Sequence, residues 1–182
     1  MALGATIYTF KIALADSDRG VYQDLDLRVA RHPSETEDYL LTRVLAYCLE
    51  YAEGISFSGG VSDTDQPAIS VRDLTGAMRV WIDVGAPEAA RLHRAQKLAP
   101  RVAVYTHKDA DQLAARLRGE KIYRAEALEL YAIDREWLAH VSARLERRME
   151  FALTVADGNL YLSLGQETLT CVVPRISLTG SG

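Results

Sequence analysis

The chain has 182 residues, 48% of them hydrophobic and 25% charged, a size and composition that fit one globular domain burying most of its apolar surface without disulfides or metal staples. Its formal net charge of -4 excludes attraction of the whole molecule to nucleic acid or anionic membrane, but not a local basic cleft. No apolar run approaches the ~20 residues of a membrane span, and the N-terminal Met-Ala-Leu-Gly-Ala-Thr lacks a basic region ahead of an apolar core, so a cytoplasmic protein is expected.

Ile7, Phe10, Ile12 and Leu14 lead into Asp-Ser-Asp-Arg-Gly, and Val21, Leu25, Leu27 and Val29 come after it. Period-two patterning on both sides of such a cluster predicts a hairpin, with strands near 3–15 and 21–31. Ser34 and Glu37 have capping-box spacing, so a helix is expected to start there. Its apolar face carries Leu41, Val44, Leu45, Cys48, Leu49 and Ala52. Glu37 falls within that face at the first turn, whereas Glu50 lies nearly opposite it.

A short stretch at 55–57 leads into a Gly, Ser and Asp-rich loop over 58–66. Strands are expected at 68–72 and 78–84, joined by Asp73-Leu-Thr-Gly76. Gly85-Ala-Pro87-Glu88 opens a helix that runs to about Leu98, with Pro early and an acid in the first turn. Residues 101–106 are apolar enough for a buried strand. A helix near 110–118, a strand near 128–133 and a helix near 135–144 come next. Strands at 150–156, 160–164 and 169–176 form a meander, with Asp157-Gly158-Asn159 as the turn. Residues 179–182 are expected to form a flexible tail after a single domain over 1–178. This order predicts an α+β fold, a mixed sheet flanked by helices with extra antiparallel strands from both termini at its edges. Cys48 and Cys171 show no CxxC spacing and are expected to be free, buried thiols.

A carboxylate at Asp83, between Ile82 and Val84, needs a partner or a job, because a strand interior seldom takes a charge. In a hairpin turning at 73–76, facing residues have numbers adding to about 149–151, so Asp83 lies opposite 66–68 and beside Asp65. Asp73 falls at the far end, where its side chain can close the turn on its own backbone. Asp65 and Asp83, with Glu37 or Asp63, are candidate hard-oxygen ligands for Mg²⁺. Alternation puts Trp81, Asp83 and Gly85 on one face. Lys97 lies about three turns into the next helix and shares a face with His93. The alternatives are Asp83 as partner of a nearby arginine, Asp65 as a turn residue and Lys97 as a solvated lysine. Basic residues cluster at Arg91, Arg94, Lys97 and Arg101, at Arg116, Arg118, Lys121 and Arg124, and at Arg144, Arg147 and Arg148. Each cluster reads either as a solvated face or as a set of phosphate contacts.

The segments Ala-Arg-His-Pro-Ser-Glu-Thr (30–36), Gly-Gly-Val-Ser-Asp-Thr-Asp-Gln-Pro (59–67), Trp-Ile-Asp-Val-Gly-Ala-Pro (81–87) and Val-Ala-Val-Tyr-Thr (102–106) together resemble the YaeQ family of bacterial proteins, over Ala2 to Leu178. The resemblance implies an atypical PD-(D/E)xK nuclease-like core. It puts the loop acid at or near Asp65, since Ala68 stands where Pro-Asp would place its Asp, and the strand acid at Asp83. Gly85 holds the place of the motif lysine, with Lys97 as a displaced substitute. A chain of this kind is expected either to hydrolyse a phosphodiester or to bind without chemistry. In the first case Asp65 and Asp83 hold Mg²⁺, Lys97 stabilises charge, and Arg91, Arg94 and Arg101 hold the nucleic-acid backbone. In the second the chain is a nucleic-acid- or protein-binding module that retains the nuclease fold. A small-molecule hydrolase using His93 or His107 lacks a nucleophile with a recognisable neighbourhood. Geometry separates the first two: pairing of Asp83 to an arginine favours the binding module.

Overall fold

The computed structural model describes residues 4–58 and 64–179. In chain order the elements are β1 (Thr6–Asp16), β2 (Val21–Arg31), α1 (Glu37–Leu49), β3 (Ile55–Phe57), β4 (Ile69–Arg72) and β5 (Met78–Val84). Then come α2 (Ala89–Leu98), β6 (Arg101–Thr106), α3 (Ala110–Arg118), β7 (Glu129–Ala132) and α4 (Arg135–Ser142). The chain finishes with β8 (Arg148–Ala156), β9 (Asn159–Leu164), β10 (Glu167–Val172) and β11 (Arg175–Ile176). The fold is α+β. No helix among the described residues is long and apolar enough to cross a membrane.

Two compact units divide the chain, with the boundary inside α1: Met1–Leu41 with Asp134–Val173, and Thr42–Ile133 with Pro174–Gly182. In the first, a five-stranded sheet has the order β10-β9-β8-β1-β2. Phe10, Ile12 and Leu14 alternate with exposed Lys11 and Ala13, so one face is apolar and the other polar, the usual pattern of a sheet covered on one side. The β8–β9 turn places Asp157 at φ 51° and Gly158 at φ 76°, the two left-handed residues that a tight hairpin requires. The terminal strands therefore build a sheet of their own instead of extending the edges of the central one. Their union is the parallel pairing of β1 with β8, from Thr9↔Arg148 to Asp16↔Val155, which no local turn announces.

Two boundaries also move. The α1 cap is Thr36, whose Oγ1 accepts from Tyr39 N at 3.0 Å, and the helix starts at Glu37. Ser34 is instead occupied with the His32 ring, at 2.7 Å. The strand expected at 169–176 breaks at Pro174, which has no N–H for a ladder; its carbonyl accepts from Ala132 N at 3.0 Å. Arg175 and Ile176 leave that sheet and pair with β7 as β11.

The second unit holds a six-stranded sheet of order β11-β7-β6-β5-β4-β3. Strands β3, β4 and β5 run antiparallel, while β5, β6 and β7 run parallel. Trp81, Val102, Val104 and Leu130 pack on Leu92 and Ala95 of α2 and on Leu113, Ala114 and Leu117 of α3. The β4–β5 register is Ile69↔Ile82, Ser70↔Trp81 and Val71↔Val80, with a bulge at Val71/Arg72, within the range expected from the turn. Asp73 closes that turn: its Oδ1 accepts from Thr75 N at 2.9 Å, Thr75 Oγ1 at 2.5 Å and Ala77 N at 3.1 Å. Those bonds, the Thr75 hydroxyl first, hold its carboxyl below the usual range.

Candidate functional site

Asp83 sits near the C-terminal end of β5 and is 2% exposed. Both its carboxylate oxygens are taken by Arg91, in the first turn of α2, whose Nε donates to Oδ2 at 2.8 Å and Nη2 to Oδ1 at 2.9 Å. This is the bidentate fork that a guanidinium makes with a carboxylate. The same guanidinium donates Nη1–H to Thr64 O and Nη2–H to Gln66 O, each at 2.6 Å. It also lies over the Trp81 ring, 5.2 Å from the centroid. One arginine thus fastens the buried strand acid to the carbonyls on either side of Asp65. Asp65 itself is exposed.

A Mg²⁺ ion at Asp83 would have to displace Arg91 from both oxygens. The residues do not fit the metal. Among the described residues no group of three or more His, Cys, Asp or Glu side chains is arranged to hold one. Asp63 lies outside the described residues. Glu37 belongs to the first unit, where Ser142 Oγ donates to its Oε2 at 3.4 Å.

Gly85 explains why no lysine stands after Asp83 at the motif spacing. Its φ is +91°, a left-handed conformation that a lysine adopts only with strain, and its N–H donates to Tyr105 O at 2.9 Å. Lys97 lies elsewhere, near the end of α2, with Nζ 5.8 Å from the Tyr123 ring centroid. Lys97, Tyr123 and Arg124, with Gln96 and the 98–100 turn, line an open cleft of about 490 Å³. Tyr123 is 46% exposed. The loop that carries it is built by two side chains of α2. His93 Nδ1 accepts from Tyr123 N at 2.9 Å, and Gln96 Nε2 donates to Arg124 O at 2.8 Å. His93 is therefore a positioning residue, and its Nδ1 is the unprotonated nitrogen. Arg94 is exposed on the same helix, three residues before Lys97. His107 is buried just beyond β6.

The YaeQ family model matches residues 1–173. The chain belongs to the YaeQ family. It is 36% identical over 165 residues to the uncharacterized protein YaeQ of Escherichia coli K12, covering 90% of this chain and 91% of that one. The Salmonella typhi YaeQ protein is 32% identical over 170 residues, with 93% and 94% covered. Among solved structures, the YaeQ protein from Pseudomonas syringae matches with a TM-score of 0.86 at 27% identity, covering 97% of each chain. That from Xanthomonas axonopodis pv. citri gives 0.82 at 28%, covering 95% of this chain and 97% of the other.

In this YaeQ chain sequence patterning also misplaces one member of a charged cluster built on Arg101. Glu50 is not on the outer face of α1 but just past its end, 8% exposed. Arg101 Nη1 and Nη2 donate to its two oxygens at 2.6 and 2.9 Å, while Arg101 Nε and Nη2 donate to Glu129 at 2.6 and 3.0 Å. Tyr105 OH donates to Glu50 at 2.6 Å and Tyr131 OH donates to Glu129 at 2.5 Å, with the two rings stacked 4.9 Å apart. Burial raises Glu129, but the hydrogen bonds from Arg101 and Tyr131 outweigh it and hold the carboxyl below its usual range. Burial, then Glu129, pushes Tyr131 up to about 12. Burial, then Glu50, pushes Tyr105 well above the phenol range. Arg101, expected on phosphate, is committed to two glutamates. Neither cysteine is in a disulfide; Cys48 is buried and Cys171 half-buried, and burial, with Asp134 adding, pushes the Cys171 thiol up to about 12. It is not a poised thiolate.

Proposed function

We propose that this YaeQ-family chain is a non-catalytic, single-strand nucleic-acid-binding module that retains the outline of a PD-(D/E)xK core. The observation that carries this reading is the fork of Arg91 on Asp83. The helix, hairpin, helix, strand order and the placing of the Asp65 loop beside Asp83 keep the nuclease outline. The position from which a nuclease would hold its metal is filled by a cation of the protein's own, and no lysine stands at Gly85. Metal-dependent hydrolysis then lacks both its ligands and its charge-stabilising group.

Binding is assigned to the outer side of α2 and the loop that it positions. An exposed tyrosine beside Lys97 and Arg124 offers a base a stacking surface and its flanking phosphates two cations, the combination by which proteins hold single strands without reading sequence. Stacking on one aromatic ring contributes ~1–3 kcal/mol per base. The test is fluorescence anisotropy of a labelled single-stranded oligonucleotide in EDTA. The wild type binds with a salt-dependent affinity, Tyr123→Ala weakens binding about tenfold or more, and Lys97→Gln reduces the slope against log salt by about 0.7. Affinity unchanged in Tyr123→Ala, or cleavage in Mg²⁺ that Asp83→Ala abolishes, would overturn the reading.

A further inference from the structure

The polar face of the five-stranded sheet carries a second feature, in the first unit and independent of the Tyr123 cleft. Thr9, near the start of β1, pairs with Arg28 of the edge strand β2 on one side and with Arg148 of β8 on the other. Cross-strand partners point to the same face, so Arg28, Thr9 and Arg148 form one row, with the two arginines about 10 Å apart at Cα, two strand spacings. Arg147 joins them: its carbonyl accepts from Thr9 N at 2.8 Å, and its own Nε reaches Ile7 O at 3.4 Å. Ile7, Thr9, Arg28, Arg147 and Arg148 line a cleft of about 530 Å³, within the size range of small-molecule sites.

Charge pairing does not account for this row. All three arginines are exposed, and among the described residues neither Arg28 nor Arg148 makes a side-chain hydrogen bond or ion pair. The nearest acids on this face, Asp26 and Glu150, stand opposite Lys11 in the next row. Arg144, which the chain groups with Arg147 and Arg148, is turned to Glu167 instead, at 2.7 and 2.5 Å. Three arginines and one threonine therefore line a single cleft.

We infer that this cleft is an anion site for one phosphoryl group, free or carried on a small molecule. Guanidinium forks match the oxygens of a phosphate bidentately, and the Thr9 hydroxyl supplies a donor at the floor. Three arginines grouped on one cleft of this size fit a single tetrahedral anion better than a run of phosphodiesters, which would need cations spread along a groove.

The test is calorimetric titration of the full chain with inorganic phosphate, pyrophosphate, a nucleoside 5′-monophosphate and the unphosphorylated nucleoside. Phosphate, pyrophosphate and the monophosphate give saturable heats and the nucleoside gives none. Arg28→Gln and Arg148→Gln each weaken pyrophosphate binding about tenfold or more, as loss of a charge-assisted hydrogen bond should, while Lys11→Gln leaves it unchanged. Arg148→Lys, which keeps the charge and loses the fork, falls between. Urea unfolding of every variant coincides with the wild type. Dilution heat alone from pyrophosphate in the wild type, wild-type affinity in both glutamine variants, or binding of the bare nucleoside would overturn the inference.

Discussion

Arg91 serves the strand acid and the loop carbonyls at one point. It neutralises an acid whose side chain is 3% exposed while its own side chain remains 21% exposed, and it satisfies two loop carbonyls. Removing one partner of such a pair strands the other as a buried charge, which costs ~3–5 kcal/mol. Arg91→Ala should therefore lower unfolding stability by about 3 kcal/mol in urea titrations, and the double variant Asp83→Ala/Arg91→Ala should cost clearly less than the sum of the singles. Additive losses would show that the fork contributes nothing specific.

The Glu50, Arg101 and Glu129 cluster predicts a pH response of definite sign. Glu129 is held below its unfolded value, so its contribution is present above the ordinary carboxylate range and is lost as pH falls through the lowered folded value. Tyr131 is held above its unfolded value, so its contribution is present below about 10 and is lost as pH rises through about 12. Urea titrations across acid pH should show a clearly smaller loss in Arg101→Met than in the wild type, because only Tyr131 and Arg175 are then left to favour the charged Glu129 against its burial. Asp83 is legible from the chain as an acid out of place, and Asp73 as a turn former. Arg91 reads from the chain as a phosphate contact; that it is the arginine paired with Asp83 escapes notice, because its distance in space is set by how α2 leaves β5. Glu50 escapes because a helical wheel places it outside, although its partner Arg101 stands 51 residues away and the helix has already ended.

At the level of elements, period-two patterning finds the strands well, because burial on one face forces it. Caps are harder, since two hydroxyls compete within three residues. Thr36→Ala should cost ~1 kcal/mol through the lost bond to Tyr39 N, and Ser34→Ala distinctly less; the reverse order in thermal melts would restore the capping box at Ser34. The junction before β3 depends on a glycine for two reasons. Gly54 has φ +89°, and a Cβ there would meet Arg72 O at 1.9 Å. Its own carbonyl accepts from Arg72 N at 3.1 Å. Gly54→Ala should cost about 2–3 kcal/mol, well above Gly158→Ala, whose Cβ would meet nothing within 4 Å; equal losses would rule out the close approach as the cause.

For the whole molecule, the α+β class can be read from the order of elements, and the family resemblance carried by four short segments agrees with the family match over residues 1–173. The division into two sheets cannot be read that way. It depends on β1 meeting β8 in parallel and on Pro174 sending the last strand to β7, pairings across more than a hundred and about forty residues with no local signal. The acids of the hairpin are legible in the same way, and their employment is not, because one arginine from the next helix decides it. That arginine turns a candidate metal site into an internal ion pair, and the proposed function rests on the Tyr123 cleft instead. The direct measurement is a Mn²⁺ titration of the wild type and of Asp83→Ala by isothermal calorimetry. Heats of dilution alone are predicted for both proteins, and a saturable heat in the wild type that Asp83→Ala removes would contradict the account.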